Sequence, residues 1–456
     1  MSRRLLRGAA ALFPCLVLAA CGGGGGGSQP PPNPAPPVIQ QYFADRTSYF
    51  VGESARLTVL YSGGNGRIEP SIGPVASGAT VDTPALDVTT RYTLIVESAN
   101  GSASRELTLD VAYRDRYRTL AQPFRASQHR AVLAGDGTVV IIGGSRGEST
   151  VSESIDRFDP STETFTRIGS LVGGPFQGET ATRLADGHIL VVGARLQSGS
   201  PFAEIIDERT GIATATGIMN VPRLSHAAVA LADDRVLITG GHTPEGFPLG
   251  ISPTASIWDP ATGQFRALTN TMNLPRVGHS ATLLQDGRVL LVGGFSFRTP
   301  YLLAEIFDPL TEEFTVVPTN EQTSRALHES IRLQDGNVLV VGGENDATVP
   351  NQSVLLWDRS SGVFQTMPNL LVPRSLIRAT ATRADQVLLF GGVTQQHPIA
   401  TASAETYTRA AGGAPLPPMP QARSWHTVTR LRDGRVLIVG GDDQGNNLVG
   451  DVLLYE

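Results

Sequence analysis

From residue 113 onward the apolar positions fall into short runs that recur at a spacing of about 50 residues, each broken at its centre by a turn signal. The clearest copy, "HSATLLQDGRVLLVGG" from His279, sets two apolar strands on either side of Asp286-Gly287, a dipeptide suited to a two-residue hairpin turn. Asp136-Gly137, Asp186-Gly187, Asp335-Gly336 and Asp433-Gly434 repeat that turn. Glycine pairs end the hairpins at 143–144, 240–241, 293–294, 342–343, 391–392 and 440–441, with Gly193-Ala194 as a decayed copy, so the period predicts seven units. A variable stretch then leads to a third strand ending in an aromatic residue and Asp, as in Phe158-Asp159, Trp258-Asp259, Phe307-Asp308 and Trp357-Asp358. Further on stand Phe165, Phe265, Phe314 and Phe364, each placing a fourth strand with one large core side chain. Every unit therefore reads as a four-stranded meander, and the chain as all-β.

The last unit stops at Tyr455-Glu456, short of its fourth strand. Residues Arg116 to Leu120, "RYRTL", precede the first hairpin and fit the missing strand, with Tyr117 in the place of Phe165. Closing the ring in this way pairs an otherwise bare strand edge. Residues 38–112 differ: period-two stretches such as "ARLTVLY" and "RYTLIVES" between Gly, Asn, Asp and Pro clusters predict half-buried strands of a separate unit. Before it, residues 21–37 are Gly-rich and then Pro-rich, a composition that buries no core and serves as a linker.

Charge removes one class of function. With 36 Lys plus Arg against 42 Asp plus Glu the formal charge is -6, the wrong sign for a chain that must neutralise phosphates, so nucleic acid is not an expected partner. The first twenty residues read as an export signal: Arg3, Arg4 and Arg7 precede an apolar run from Ala9 to Ala20 that is too short to span a bilayer comfortably. Leu18-Ala19-Ala20-Cys21 resembles the bacterial lipobox, which implies lipidation of Cys21 and a partner in the membrane itself. Gly22 after that cysteine implies, by the same resemblance, the outer membrane of the cell envelope. The only cysteines are Cys15 and Cys21, so the expected folded region contains neither a disulfide nor a thiol metal ligand.

The ordered set of glycine pair, aromatic-Asp-Pro and late aromatic is similar to the Kelch repeat and covers residues 113–456. The resemblance implies a seven-bladed Kelch-type β-propeller. Residues 38–112 resemble small bacterial immunoglobulin-like β-sandwich domains, which implies a stalk or an adhesion module. The pairing also resembles galactose oxidase, whose copper site depends on a tyrosine cross-linked to cysteine; lacking any propeller cysteine, this chain is not expected to form that cofactor, and none other is expected.

In such a meander the loop after strand two and the link into the next unit share one face, and that face holds the variable residues. Just before the inner strands Arg125, Arg223, Arg276, Arg325, Arg374 and Arg423 recur. A second ring follows with His129, His226, His279, His328 and His426, where unit two has Glu179 and unit six Arg378. Guanidinium groups in a ring suit an anion-binding funnel for a glycan or protein ligand, with Trp425 stacking on a sugar face. The competing reading is architectural, the arginines being neutralised between blades by Glu153, Glu204, Glu305, Glu405 and Asp451. Sevenfold spreading of the histidines disfavours a metal centre. The chain thus reads as an envelope-anchored binding or scaffold module. The alternative is a carbohydrate-active enzyme in which Glu179 and Arg378 mark a sugar-processing site like that of periplasmic Kelch epimerases acting on acidic sugars.

Overall fold

A computed structural model describes residues 35–456 apart from 148–150, 175, 196–199, 220, 244–249, 297–298, 301–303, 319–324, 346–348, 383–384, 395–398 and 446. The expected export signal, Cys21 and the linker up to residue 34 lie outside the described residues. Among the described residues every regular element is a β-strand.

Among the described residues seven four-stranded antiparallel sheets follow one another. Their first strands are Arg130–Leu133, Phe176–Arg183, Ala227–Ala230, Ser280–Leu283, Glu329–Arg332, Arg378–Ala381 and Thr427–Arg430. Each packs beside the next, and the seventh beside the first, so these strands ring a central axis. Second strands such as Val289–Val292 are buried along their whole length, because neighbouring sheets cover both faces, and this is why they read as unbroken apolar runs. Apolar clusters lie between sheets, as where Leu237 and Ile257 of the third meet Leu291 and Phe307 of the fourth.

The seventh sheet takes its outer strand from the start of the ring: Tyr117–Thr119 pairs with Leu453–Tyr455, Tyr117 opposite Tyr455. Phe165 opposite Phe158 and Phe314 opposite Phe307 have the same register, so Tyr117 occupies the place expected of it. The closure is reinforced by Glu456, which accepts from Arg116 at 2.8 Å and Arg118 at 2.9 Å.

The hairpin turn differs from the expected two-residue form. Ala134 N–H donates to Thr138 and Gly137 N–H to Ala134, leaving a three-residue loop whose last residue, Gly137, sits at φ +92°. Asp234 and Asp385 hold that left-handed position in the third and sixth sheets, which aspartate tolerates better than most side chains.

Ahead of the ring, a three-stranded sheet (Val38–Ala44, Arg56–Ser62, Thr80–Asp82) faces a five-stranded one. Between them lies a core that includes Leu57, Val59, Ile68, Leu94 and Leu109. This unit rests on the short-turn rim of the seventh sheet: Asp87 pairs with Arg430 at 2.9 Å, Tyr113 donates to the Gly434 carbonyl at 2.8 Å, and the Tyr113 ring stacks on Tyr455. The rim carrying the loops after the second strands is the opposite one.

Candidate functional site

The recurring glycine pair and the recurring arginine explain each other. In the fourth sheet Arg276 Nη1 donates to the Gly293 carbonyl at 2.8 Å, and Gly294 N–H donates across the sheet boundary to the Arg325 carbonyl at 2.9 Å. Gly241 to Arg276, Gly343 to Arg374, Gly392 to Arg423 and Gly441 to Ala126 carry the same link round the ring. A Cβ on Gly293 would collide with the Arg325 carbonyl oxygen, so a larger residue has no room.

The sequence nominated these arginines as a ligand-binding funnel, and burial corrects that. Arg223 is 2% exposed and Arg276, Arg325, Arg374 and Arg423 are 0% exposed. Each makes bonds within its own sheet. Arg223 meets Thr254 Oγ1 at 2.5 Å, Arg325 meets Ser353 Oγ at 2.6 Å, Arg374 pairs with Glu405 at 2.9 Å, Arg276 pairs with Glu305, and Arg423 meets the Asp451 carbonyl at 3.1 Å. The acids therefore act inside sheets rather than between them. Glu204, Glu305 and Glu405 share one register, in which the first sheet has Asp156; Glu153 and Asp451 fall outside it. Burial lowers Arg223, Arg325 and Arg423 to about 10, which leaves them charged at neutral pH.

Arg125 is also corrected. It is exposed, and Ala126 holds the buried place. Arg146, arriving from the loop after the glycine pair, replaces the missing guanidinium by bonding Ser154 Oγ at 2.6 Å and Asp156 at 2.8 Å.

His129, His226, His279, His328 and His426 are likewise buried. Four of them stitch neighbouring sheets, His129 to Thr427, His226 to Thr180, His279 to Thr239 and His328 to Ser280, at 2.8 to 2.9 Å. Burial first and nearby arginines second lower His129, His226 and His328 to about 3, and hold His279 and His426 well below their ordinary value. All five are buried and neutral at neutral pH, and four of them act as structural bonds. In the sixth sheet Ile377, not Arg378, fills the histidine place: it abuts Gly342 as His328 abuts Gly293. Arg378 stands one residue on, at the head of the inner strand, where it meets Glu329 at 2.8 Å and the His426 carbonyl at 3.1 Å. Among the described residues no group of His, Cys, Asp and Glu is arranged to hold a metal ion.

What faces the axis at the open rim is the residue before each buried histidine or its substitute. Gln128, Ser225, Gly278, Leu327, Leu376 and Trp425 all adopt φ between 49° and 66°. Their main chains link in sequence round the mouth: Gln128 N–H donates to Trp425 at 3.0 Å, Leu327 to Gly278 at 3.0 Å and Leu376 to Leu327 at 3.1 Å. Left-handed backbone costs a non-glycine residue roughly 1 kcal/mol, which these bonds offset. The conformation recurs while the side chain varies, with an apolar sector of Leu327, Leu376 and half-buried Trp425 beside polar neighbours. A cavity of about 400 Å³ opens beside Trp425, between Gln128, Arg130, Glu179, Ser225 and His242. Of the residues nominated from the sequence, Trp425 and Glu179 line it. Gln128 and Arg130 were missed; the signal for them lay in the variable position next to each conserved-looking histidine.

Known proteins agree on the fold. The Kelch motif matches residues 128–172, one unit of the ring. Beta-scruin of Limulus polyphemus is 26% identical over 214 residues, 45% of this chain and 22% of the relative, so the chain spans about a fifth of that protein's length. The solved structure titled "Structure of YjhT" matches with TM-score 0.50 and 13% identity over 62% of this chain and 95% of its own. A fungal alcohol oxidase of the AA5 family, solved in complex with copper, matches with TM-score 0.61 and 13% identity over 75% of each chain. These likenesses, with the ring of four-stranded sheets, show a β-propeller fold that carries a Kelch motif at residues 128–172.

Proposed function

We propose that the chain is an envelope-anchored binding or scaffold module. In this reading the seven sheets are the blades of one Kelch-type propeller, residues 38–112 form an immunoglobulin-like stalk, and lipid on Cys21 fixes the whole to the outer membrane. The propeller's variable face recognises a glycan or protein ligand. The observation that carries the reading is the mouth of the ring, where one backbone conformation is held at six places while its side chains run from Gly to Trp. Such a rim keeps its shape and varies its chemistry, as recognition surfaces on rigid scaffolds do. Among the described residues the contacts of the N-terminal unit with the ring lie on the opposite rim. A glycan and protein binding screen with the Cys21→Ser chain tests it: capture of a ligand that Trp425→Gly loses supports the proposal, and capture undiminished by changes round the mouth contradicts it.

One observation favours a second reading, a carbohydrate-active enzyme. Glu179 reaches the mouth cavity with its carboxyl raised by burial, the condition of a general acid, against the partial compensation of Arg130. Conversion of a sugar that Glu179→Gln abolishes while binding survives would establish that reading.

A further inference from the structure

The second sheet departs from the repeat at the mouth. It carries Glu179 where five others carry a histidine. The strands of its inner hairpin, Phe176–Arg183 and His188–Arg195, stay paired up to the level at which the first sheet pairs only through the isolated bridge of Ser127 with Ser145. The cavity lined by Arg130, Glu179, Ser225, His242 and Trp425 opens there.

Arg130 and Arg378 head equivalent inner strands, yet only Arg378 forms a salt bridge, while the Glu179 carboxyl acts on Arg130 through charge without a direct bond. Arg378 is paired with Glu329 at 2.8 Å. Arg130 spends its Nε on the Glu179 carbonyl oxygen at 2.7 Å. Among the described residues its two terminal nitrogens have no hydrogen-bond partner and it has no ion pair. A guanidinium anchored through Nε with both terminal nitrogens unspent presents the fork that fits a carboxylate bidentately. Burial pushes the neighbouring Glu179 carboxyl toward its neutral form, which weakens its repulsion of an anion. Trp425 supplies an aromatic wall beside the fork, and about 400 Å³ suits a small molecule rather than a protein surface.

We propose that this cavity binds a small organic monocarboxylate, with its carboxylate on Arg130 and its carbon body against Trp425. The proposal rests on the reading of the variable face as the binding face. Calorimetry on the full chain with benzoate and glucuronate, against the neutral benzamide and glucose, tests it. The repeat supplies the variants, since Thr427 stands at the place of Arg130 and Gly278 at that of Trp425 in other sheets. Arg130→Thr and Trp425→Gly should therefore fold. The expected result is saturable binding of at least one acid and of neither neutral compound, weakened at least about tenfold by Arg130→Thr and also weakened by Trp425→Gly. Absence of binding by both acids, equal binding of benzamide, preference for a Glu-rich peptide, or unchanged affinity in Arg130→Thr at an unchanged thermal midpoint would overturn it. A glycan or protein that the parent captures and Arg130→Thr still holds overturns this assignment alone and leaves the binding module standing.

Discussion

Replacing Arg276 by Gln should destabilise the ring far more than the same change at Arg223, although the two side chains are 0% and 2% exposed. Arg223 donates to neutral acceptors, the Gly240 and Thr254 carbonyls at 2.7 and 3.0 Å and Thr254 Oγ1 at 2.5 Å. Leaving such acceptors short of a donor costs about 1–3 kcal/mol. Arg276 donates to the Gly293 carbonyl and pairs with Glu305, whose side chain is 0% exposed and whose other bonds come from the Asn273 amides at 2.8 Å. Removing one partner of a buried ion pair costs about 3–5 kcal/mol. The two variants should thus differ by roughly 2 kcal/mol. Adding Glu305→Gln to Arg276→Gln should recover part of the loss, because no unpaired charge remains. Urea denaturation followed by tryptophan fluorescence is the assay, since Trp258, Trp357 and Trp425 all lie in the ring and none in the N-terminal unit. A change within about 0.5 kcal/mol of the parent, typical of surface positions, would refute the buried-strap reasoning. So would a double variant no more stable than Arg276→Gln.

Acid should weaken the ring through its histidines. His129, His226 and His328 sit at about 3 when folded against about 6.5 unfolded, so the unfolded chain binds more protons between those values. Their contribution is intact above about pH 6.5 and falls by about 1.4 kcal/mol per unit per histidine on the way down to about pH 3. Thermal midpoints from neutral to acid pH check this, with a shallower slope for His226→Gln; equal slopes in parent and variant would count against it. Deleting residues 116–120 should lower the propeller's thermal midpoint more than deleting 38–112, because it bares the Leu453–Tyr455 edge and removes the partners of Glu456; an unchanged midpoint would argue against closure by that strand. Cys21→Ser should release the protein from the detergent phase, and continued partitioning would remove the lipid anchor from the account.

The repeat, its meander and the closing strand were legible in the sequence because they rest on apolar periodicity and on an aromatic pair that recurs in five of the seven sheets. Site chemistry was less so, for specific reasons. The string Ser375-Leu376-Ile377-Arg378 has no histidine to align on, and the packing depends on Ile377, one residue before the polar Arg378. Arg125 likewise lies one residue off the buried place, and nothing in one dimension reveals that Arg146 reaches back to fill it. Repetition showed that the arginines matter without showing that they point inward. Their destination depends on a glycine carbonyl of the same sheet that the chain reaches only after the inner hairpin. Docking of the N-terminal unit through Asp87 and Tyr113 is a tertiary contact between segments more than 300 residues apart, beyond any local pattern.

In the proposed function, recognition takes place at the mouth of the ring. Hydrogen–deuterium exchange of the Cys21→Ser chain, with and without a ligand recovered from the binding screen, locates the surface that the ligand covers. Protection is expected in peptides covering Gln128–Arg130, Glu179, Ser225, His242 and Trp425, with the hairpin turns of the opposite rim unaffected. Protection confined to that opposite rim or to residues 38–112, with the mouth peptides unchanged, would contradict recognition at the mouth.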